Sequence, residues 1–256
     1  MSMILDIIDL TLQAGNKSIC SHLNWQIRPT EHWAILGQNG SGKSTLLNHI
    51  AGLQTARRGK INLDGHDLEQ LEDRQRAKSM GYLFQDTPRD FPQSVFEFCL
   101  NGLHPHLSRF DIGTEKNTRL ISKVLAKTDL AGFEARHINT LSGGEFRRLE
   151  IAALILQKPR LWLLDEPVNH LDIAHQHQML NLLITEANQQ SGATVTVLHD
   201  ANLAYRFCSH VLMIFNDGTV LQGSKKELLN QETLSHLYGI NIQCIKNLKQ
   251  RFFTIA

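Results

Sequence analysis

The chain has 256 residues, 42% hydrophobic and 20% charged, the balance of a folded globular protein rather than a disordered or fibrous one. Lys and Arg number 26 against 25 Asp and Glu, and a net charge of +1 argues against a chain built to lie on nucleic acid. Cys20, Cys99, Cys208 and Cys244 show no CxxC pairing, which speaks against a zinc module or disulfide scaffold and suits a reducing compartment.

The opening MSMILDIIDL carries Asp6 and Asp9 and no basic start, so no signal peptide is expected. Alternating segments at 5–12 and 19–27, with a turn at Gly15 and Asn16, read as strands. A short apolar run at 33–36 ends in glycine and is followed by a helix-forming stretch at 43–51. From 87 to 157 the pattern turns helical, with candidate helices at 95–101, 116–128 and 143–157. Beyond Pro159 strands and helices alternate: strand 161–164, helix 173–190, strand 194–198, helix 201–207 and strand 211–215. The runs at 161 and 194 lack polar alternation, as parallel strands buried on both faces do. No apolar run approaches the roughly 18 residues of a membrane helix, so any membrane role is expected to come through a partner. The pattern gives an α/β nucleotide-binding core at about 1–86 and 158–240, a helical subdomain at about 87–157 and a tail at 241–256.

The core carries a phosphate-binding pattern. GQNGSGKS, comprising Gly37, Gln38, Asn39, Gly40, Ser41, Gly42, Lys43 and Ser44, matches GxxxxGK[ST] between a strand and a helix, with Thr45 following. Glycines let backbone N–H groups curl around phosphate oxygens, and the helix start aims its positive end at the same charge. Lys43 is placed to reach the β- and γ-phosphates of a nucleoside triphosphate, and the Ser44 hydroxyl to ligate Mg²⁺. LWLLDEP at 161–167 is a buried strand that delivers two carboxylates at its C-terminal end, the ligand-binding edge of such sheets. Asp165 is expected to hold Mg²⁺ through water and Glu166 to act as general base toward the attacking water. These two motifs leave many nucleotide hydrolases open.

LSGGE at 141–145, followed by the helical run FRRLEIAALIL, resembles the signature sequence of ATP-binding cassette (ABC) ATPases. Ser142 with the Gly143 and Gly144 amides forms an anion-binding nest at a helix start. The resemblance implies a P-loop NTPase (RecA-like) core with an N-terminal antiparallel β subdomain and an inserted α-helical subdomain. It also implies head-to-tail docking with a second cassette, a homodimer being favoured, so that each signature meets the γ-phosphate held by the other chain. Gln85 in GYLFQD resembles the Q-loop glutamine that touches Mg²⁺ and the attacking water. His199 in TVTVLHD resembles the switch histidine, and Asp172 in NHLD the D-loop aspartate. Catalysis on this reading rests on Lys43, Gln85, Glu166 and His199, and the metal on Ser44, Gln85 and Asp165. One departure stands out: many family members stack the adenine on an aromatic side chain where this chain reads LQAGNK, 12–17.

Several stretches are similar to the importer ATPases for iron–siderophore, haem and vitamin B12 complexes. They include FPQSVFEFCLNGLHPHLSRF at 91–110, LLDEPVNHLDIAHQHQML, LHDANLAYRF and a tail with LYGI near Tyr238. Leu103 stands where that group often has Arg. The resemblance implies that the stretch from Asp86 to Phe98 docks a helix of an integral membrane permease. It further implies an external solute-binding protein acting indirectly, a peripheral place on the cytoplasmic face of the cell membrane, and no nucleic-acid partner. The alternative is a soluble ABC ATPase acting on ribosomes or nucleic acid. Such proteins generally carry two cassettes in one chain, whereas this sequence carries one.

Overall fold

The computed structural model describes residues 3–15, 17–56, 58–89, 91–107, 114–247 and 250–256, with 246, 247 and 250 described for their backbone alone. Asn16 of the expected turn, Asp90 of the 86–98 stretch and 108–110 of the 91–110 stretch lie outside the described residues. The chain forms two compact units, Met1–Leu71 with Ala193–Ala256, and Glu72–Gly192.

In chain order the first unit opens with β1 (Leu5–Ala14), β2 (Lys17–Ile27), β3 (His32–Leu36), α1 (Lys43–Ile50), β4 (Arg58–Leu63) and β5 (His66–Asp67). The second unit contains α2 (Asp73–Ser79), β6 (Met80–Leu83), α3 (Val95–Leu103), α4 (Glu115–Lys127), α5 (Gly143–Gln157), β7 (Leu161–Asp165) and α6 (Ile173–Gln189). The chain then returns to the first unit with β8 (Ala193–Val197), α7 (Ala201–Phe207), β9 (His210–Ile214) and β10 (Val220–Ser224). It ends with α8 (Lys225–Leu228), α9 (Gln231–Tyr238), β11 (Ile242–Asn247) and β12 (Gln250–Ile255).

In the first unit β2, β1, β4 and β5 form an antiparallel sheet in that order. The expected N-terminal strands are therefore present, and alternation along β1 sends Leu5, Ile7, Leu10 and Leu12 into the core. β3 lies between β8 and β9 and runs parallel to both, while β10 adds to β9 antiparallel. Every residue of β3 and β8 is buried, which explains why neither run alternates. Residues 242–255, expected only as a tail, pair as a hairpin with Ile242 opposite Ile255 and Cys244 opposite Phe253. Ile242 and Phe253 turn inward, and Asn202 of α7 grips Phe253 through both backbone groups: its Nδ2 donates to Phe253 O (3.1 Å) and its Oδ1 accepts from Phe253 N (2.8 Å).

In the second unit β6 and β7 pair in parallel from Met80 opposite Leu161 to Leu83 opposite Leu164. α5 is the central helix, burying Phe146, Leu149, Ile151, Leu154 and Ile155. α3 begins at a reciprocal cap in which the Ser94 hydroxyl accepts from Glu97 N and the Glu97 carboxylate accepts from Ser94 N. It then crosses α5 so closely at Gly102 that a Cβ there would strike the Ala153 backbone. Close approach, rather than a turn, is what glycine provides at that position.

Candidate functional site

In the first unit β3 delivers the chain into the glycine-rich loop, and α1 begins at Lys43. Gly42, at the helix start, has φ 102°, and Gly40 has φ 72°, both in the region that favours glycine. A Cβ on Gly37 would lie 2.6 Å from Ile214 O and from Ser41 Oγ, so the loop is threaded against β9 with no room for a side chain. Gly37→Ala is accordingly expected to cost about 1–3 kcal/mol through overpacking, lowering Tm by roughly 2–12 °C. A melting curve superimposable on that of the unsubstituted protein would show that the loop yields.

The Lys43 side chain is only 6% exposed, and its Nζ donates to Gly37 O and Gln38 O at 2.9 Å each. Outside the loop, Lys17 Nζ donates to Gly40 O (2.8 Å) and to Asn216 Oδ1 (3.2 Å). Asn216 Nδ2 donates to Gln38 Oε1 (2.7 Å), and Gln38 Nε2 to Leu237 O (3.1 Å). The stretch that lacks an aromatic residue thus contributes a cation that braces the loop. α1 has no acidic residue in its first turn and no side-chain cap, which leaves its positive end unneutralised. The Ser41 hydroxyl is buried without a hydrogen-bond partner, the kind of donor a phosphate oxygen satisfies. His199 follows β8 and is exposed. Because β3 and β8 are parallel, the loop and His199 leave their strands at the same edge of this unit.

In the second unit the parallel pairing of β6 and β7 does the same for Gln85 and the two carboxylates. Gln85 Nε2 donates to Glu166 Oε2 at 3.3 Å, and Asn169 Nδ2 donates to the same oxygen. Glu166 has φ 48°, a left-handed backbone that costs a non-glycine residue about 1 kcal/mol or more. Asp165 is buried behind it and is hydrogen-bonded to Tyr82. Burial, with the Asp165 charge and that hydrogen bond, pushes the Tyr82 phenol well above its ordinary range. In this unit the Asp165 carboxylate and the Gln85 amide are oxygen donors of the kind a hard divalent cation takes; Ser44 lies in the first turn of α1 in the first unit.

The signature residues open α5. The Ser142 hydroxyl accepts from Glu145 N (3.2 Å), and the Glu145 carboxylate accepts from Ser142 N (2.7 Å). That backbone N–H is the main reason the Glu145 carboxyl sits below the ordinary carboxylate range, with the Ser142 hydroxyl and Arg136 assisting. Gly143 and Gly144, in the first turn, have no intrahelical acceptor for their amides, so an anion can still be met there. Asp172 caps α6, accepting from His175 N (2.9 Å) and meeting His175 Nδ1 at 2.8 Å.

Set against known proteins, residues 20–169 match the family model described as ABC transporter. The chain belongs to the ABC transporter family. It is similar to the ferric enterobactin transport ATP-binding protein FepC of Escherichia coli strain K12, 34% identical over 239 residues that span 92% of this chain and 87% of that one. It is equally similar to the hemin import ATP-binding protein HmuV of Myxococcus xanthus, 34% identical over 254 residues, 95% of this chain and 93% of that one. Among solved structures it matches one described as a metal-chelate type ABC transporter in an inward-facing conformation, with TM-score 0.82, 27% identity, and coverage of 99% of this chain and 97% of that one. As an ATP-binding subunit of this family the chain is an ATPase, and its P-loop α/β architecture is the one expected from its motifs.

Two side chains hydrogen-bonded to Glu166 carried no assignment from sequence. Asn169 sits in the quoted NHLD, but nothing in the string ties its amide to Glu166. Arg147 sits in FRRLE, the start of the helical run that follows the signature glycines, and is 4% exposed.

Proposed function

We propose that this ABC ATPase binds MgATP at Gly37–Thr45 and hydrolyses it with Glu166 as general base, Gln85 and His199 aiding the γ-phosphate and water. Ser44, Gln85 and Asp165 are the Mg²⁺ donors on this reading, and Ser142, Gly143 and Gly144 receive the γ-phosphate of a second cassette. The observation that carries it is the contact between the Gln85 amide and the Glu166 carboxylate at the end of a parallel strand pair. A carboxylate oriented by amides is what a base toward water requires.

The work done by hydrolysis is import of a chelated metal, a haem or a cobalamin through a membrane permease, fed by an external binding protein. Similarity to FepC and HmuV supports that reading. The second unit offers a matching feature, a groove of about 220 Å³ lined by Tyr82, Phe84, Thr87, Phe98, Asn101 and Gly102. Phe84 at its margin is 42% exposed, and Phe91 of the adjoining stretch is 73% exposed. Large aromatic surface of this kind is suited to an apolar helix from a partner. No helix among the described residues is long and apolar enough to cross a membrane. On this reading the ATPase sits peripherally on the cytoplasmic face, held by the permease.

Tagged Glu166→Gln protein, captured with ATP from detergent-solubilised cells, tests this reading. A polytopic membrane protein in about equal amount is the expected companion. Recovery of ribosomes, or of this chain alone, would overturn it.

A further inference from the structure

Arg147 uses its whole guanidinium inside the second unit. Its Nε donates to Pro167 O (3.1 Å), Nη1 to Phe84 O (2.6 Å) and Glu150 Oε2 (3.0 Å), and Nη2 to Asp165 O (2.7 Å) and Glu166 O (2.9 Å). A guanidinium has five N–H donors in a rigid fork, and here each has an acceptor. Four of those acceptors are main-chain carbonyls at one place: the point where the β6–β7 ladder, whose last pair is Leu83 opposite Leu164, comes to an end. Past that pair the two strands can no longer satisfy each other, and buried carbonyls without partners are costly. Arg147 takes the place of the missing ladder. The side chain belongs to α5, one turn beyond the signature residues, and Glu150 on the next turn balances its charge.

We propose that Arg147 is a positioning residue for hydrolysis, fixing the backbone from which Gln85 and Glu166 project and tying both to the signature helix. The inference rests on the reading of Glu166 as base and Gln85 as its neighbour. Glu166 needs such a clamp because its left-handed φ must be held by its surroundings, and the carbonyls on either side of that strained residue, Asp165 O and Pro167 O, are both bonded to Arg147 together with its own. A lysine has the charge but not the fork, and cannot reach four diverging carbonyls at once.

The test is turnover and ATP affinity, measured side by side, in Arg147→Lys and in the double variant Arg147→Gln/Glu150→Gln. The double variant removes both partners together, so that no lone charge is left buried to unfold the unit. A misplaced reacting group costs about 100-fold. Turnover is therefore expected to fall by about that factor, while ATP affinity stays within about threefold. Single-turnover assays in the Glu166→Gln background provide the readout that a merely structural role would not move. Adding Arg147→Lys there should slow the residual rate by no more than about twofold, since both changes act on one group. Wild-type turnover in both Arg147 variants, with Glu166→Gln stalled, would overturn this inference and leave the base assignment standing. So would fully additive losses, or a loss of ATP affinity that parallels the loss of turnover. Wild-type turnover in Glu166→Gln would instead remove the base assignment, and this inference with it.

Discussion

Glu166→Gln is expected to bind ATP as the unsubstituted protein does and to turn it over about 1,000-fold more slowly, the middle of the range for losing a general base. The substitution keeps the shape of the side chain and one carbonyl oxygen. That oxygen can still accept from the amides of Gln85 and Asn169, which both address Glu166 Oε2. What is lost is the basicity of the second oxygen, so the deficit falls on the chemical step rather than on binding. ATP that is bound but not cleaved also keeps the shared phosphate contacts in place. Gel filtration in ATP should therefore show the 29.0 kDa chain as a dimer that falls apart when nucleotide is removed. Wild-type turnover would strip Glu166 of its role and direct attention to Asp165.

Lys43→Ala is expected to weaken ATP binding by roughly 10–150-fold, the equivalent of one charge-assisted hydrogen bond worth about 1.5–3 kcal/mol. The ammonium lies across Gly37 O and Gln38 O, so it is already inside the loop and desolvated. Exchange of those carbonyl contacts for phosphate oxygens gains charge complementarity at little conformational cost, because the chain does not have to reach in from solvent. Titration with a fluorescent ATP analogue measures the loss. An unchanged affinity would mean that the loop amides and the α1 start hold the phosphates without help from the lysine.

Much of the fold could be read ahead of the structure where local sequence and burial follow the same rule. The runs 33–36, 161–164 and 194–198 lack alternation because both faces of β3, β7 and β8 are covered. The phosphate loop was equally legible, since Gly37 and Gly42 occupy positions where a side chain would collide. What could not be read depends on partners distant in sequence. The C-terminal hairpin owes its inward face to Ile242 and Phe253 meeting other elements, and short polar stretches around it hide the alternation. Arg147 and Glu150 have the spacing of an exposed i,i+3 ion pair; only the carbonyls at the ends of β6 and β7 explain their burial. The helical stretch expected at 87–157 shares its unit with that strand pair, and α5 is the tie, through Arg147 and through Leu154 packed against Gly81.

The grip of Asn202 on Phe253 has a consequence for how the chain behaves among its own copies. A terminal hairpin normally presents an open row of donors and acceptors, a template on which a second molecule can lay a strand. On β12 the middle of that row is occupied by a carboxamide, which offers one donor and one acceptor just as a neighbouring strand would. A side chain from a helix thus serves as a one-residue dummy strand, and this edge of the hairpin is closed to a further strand at Phe253.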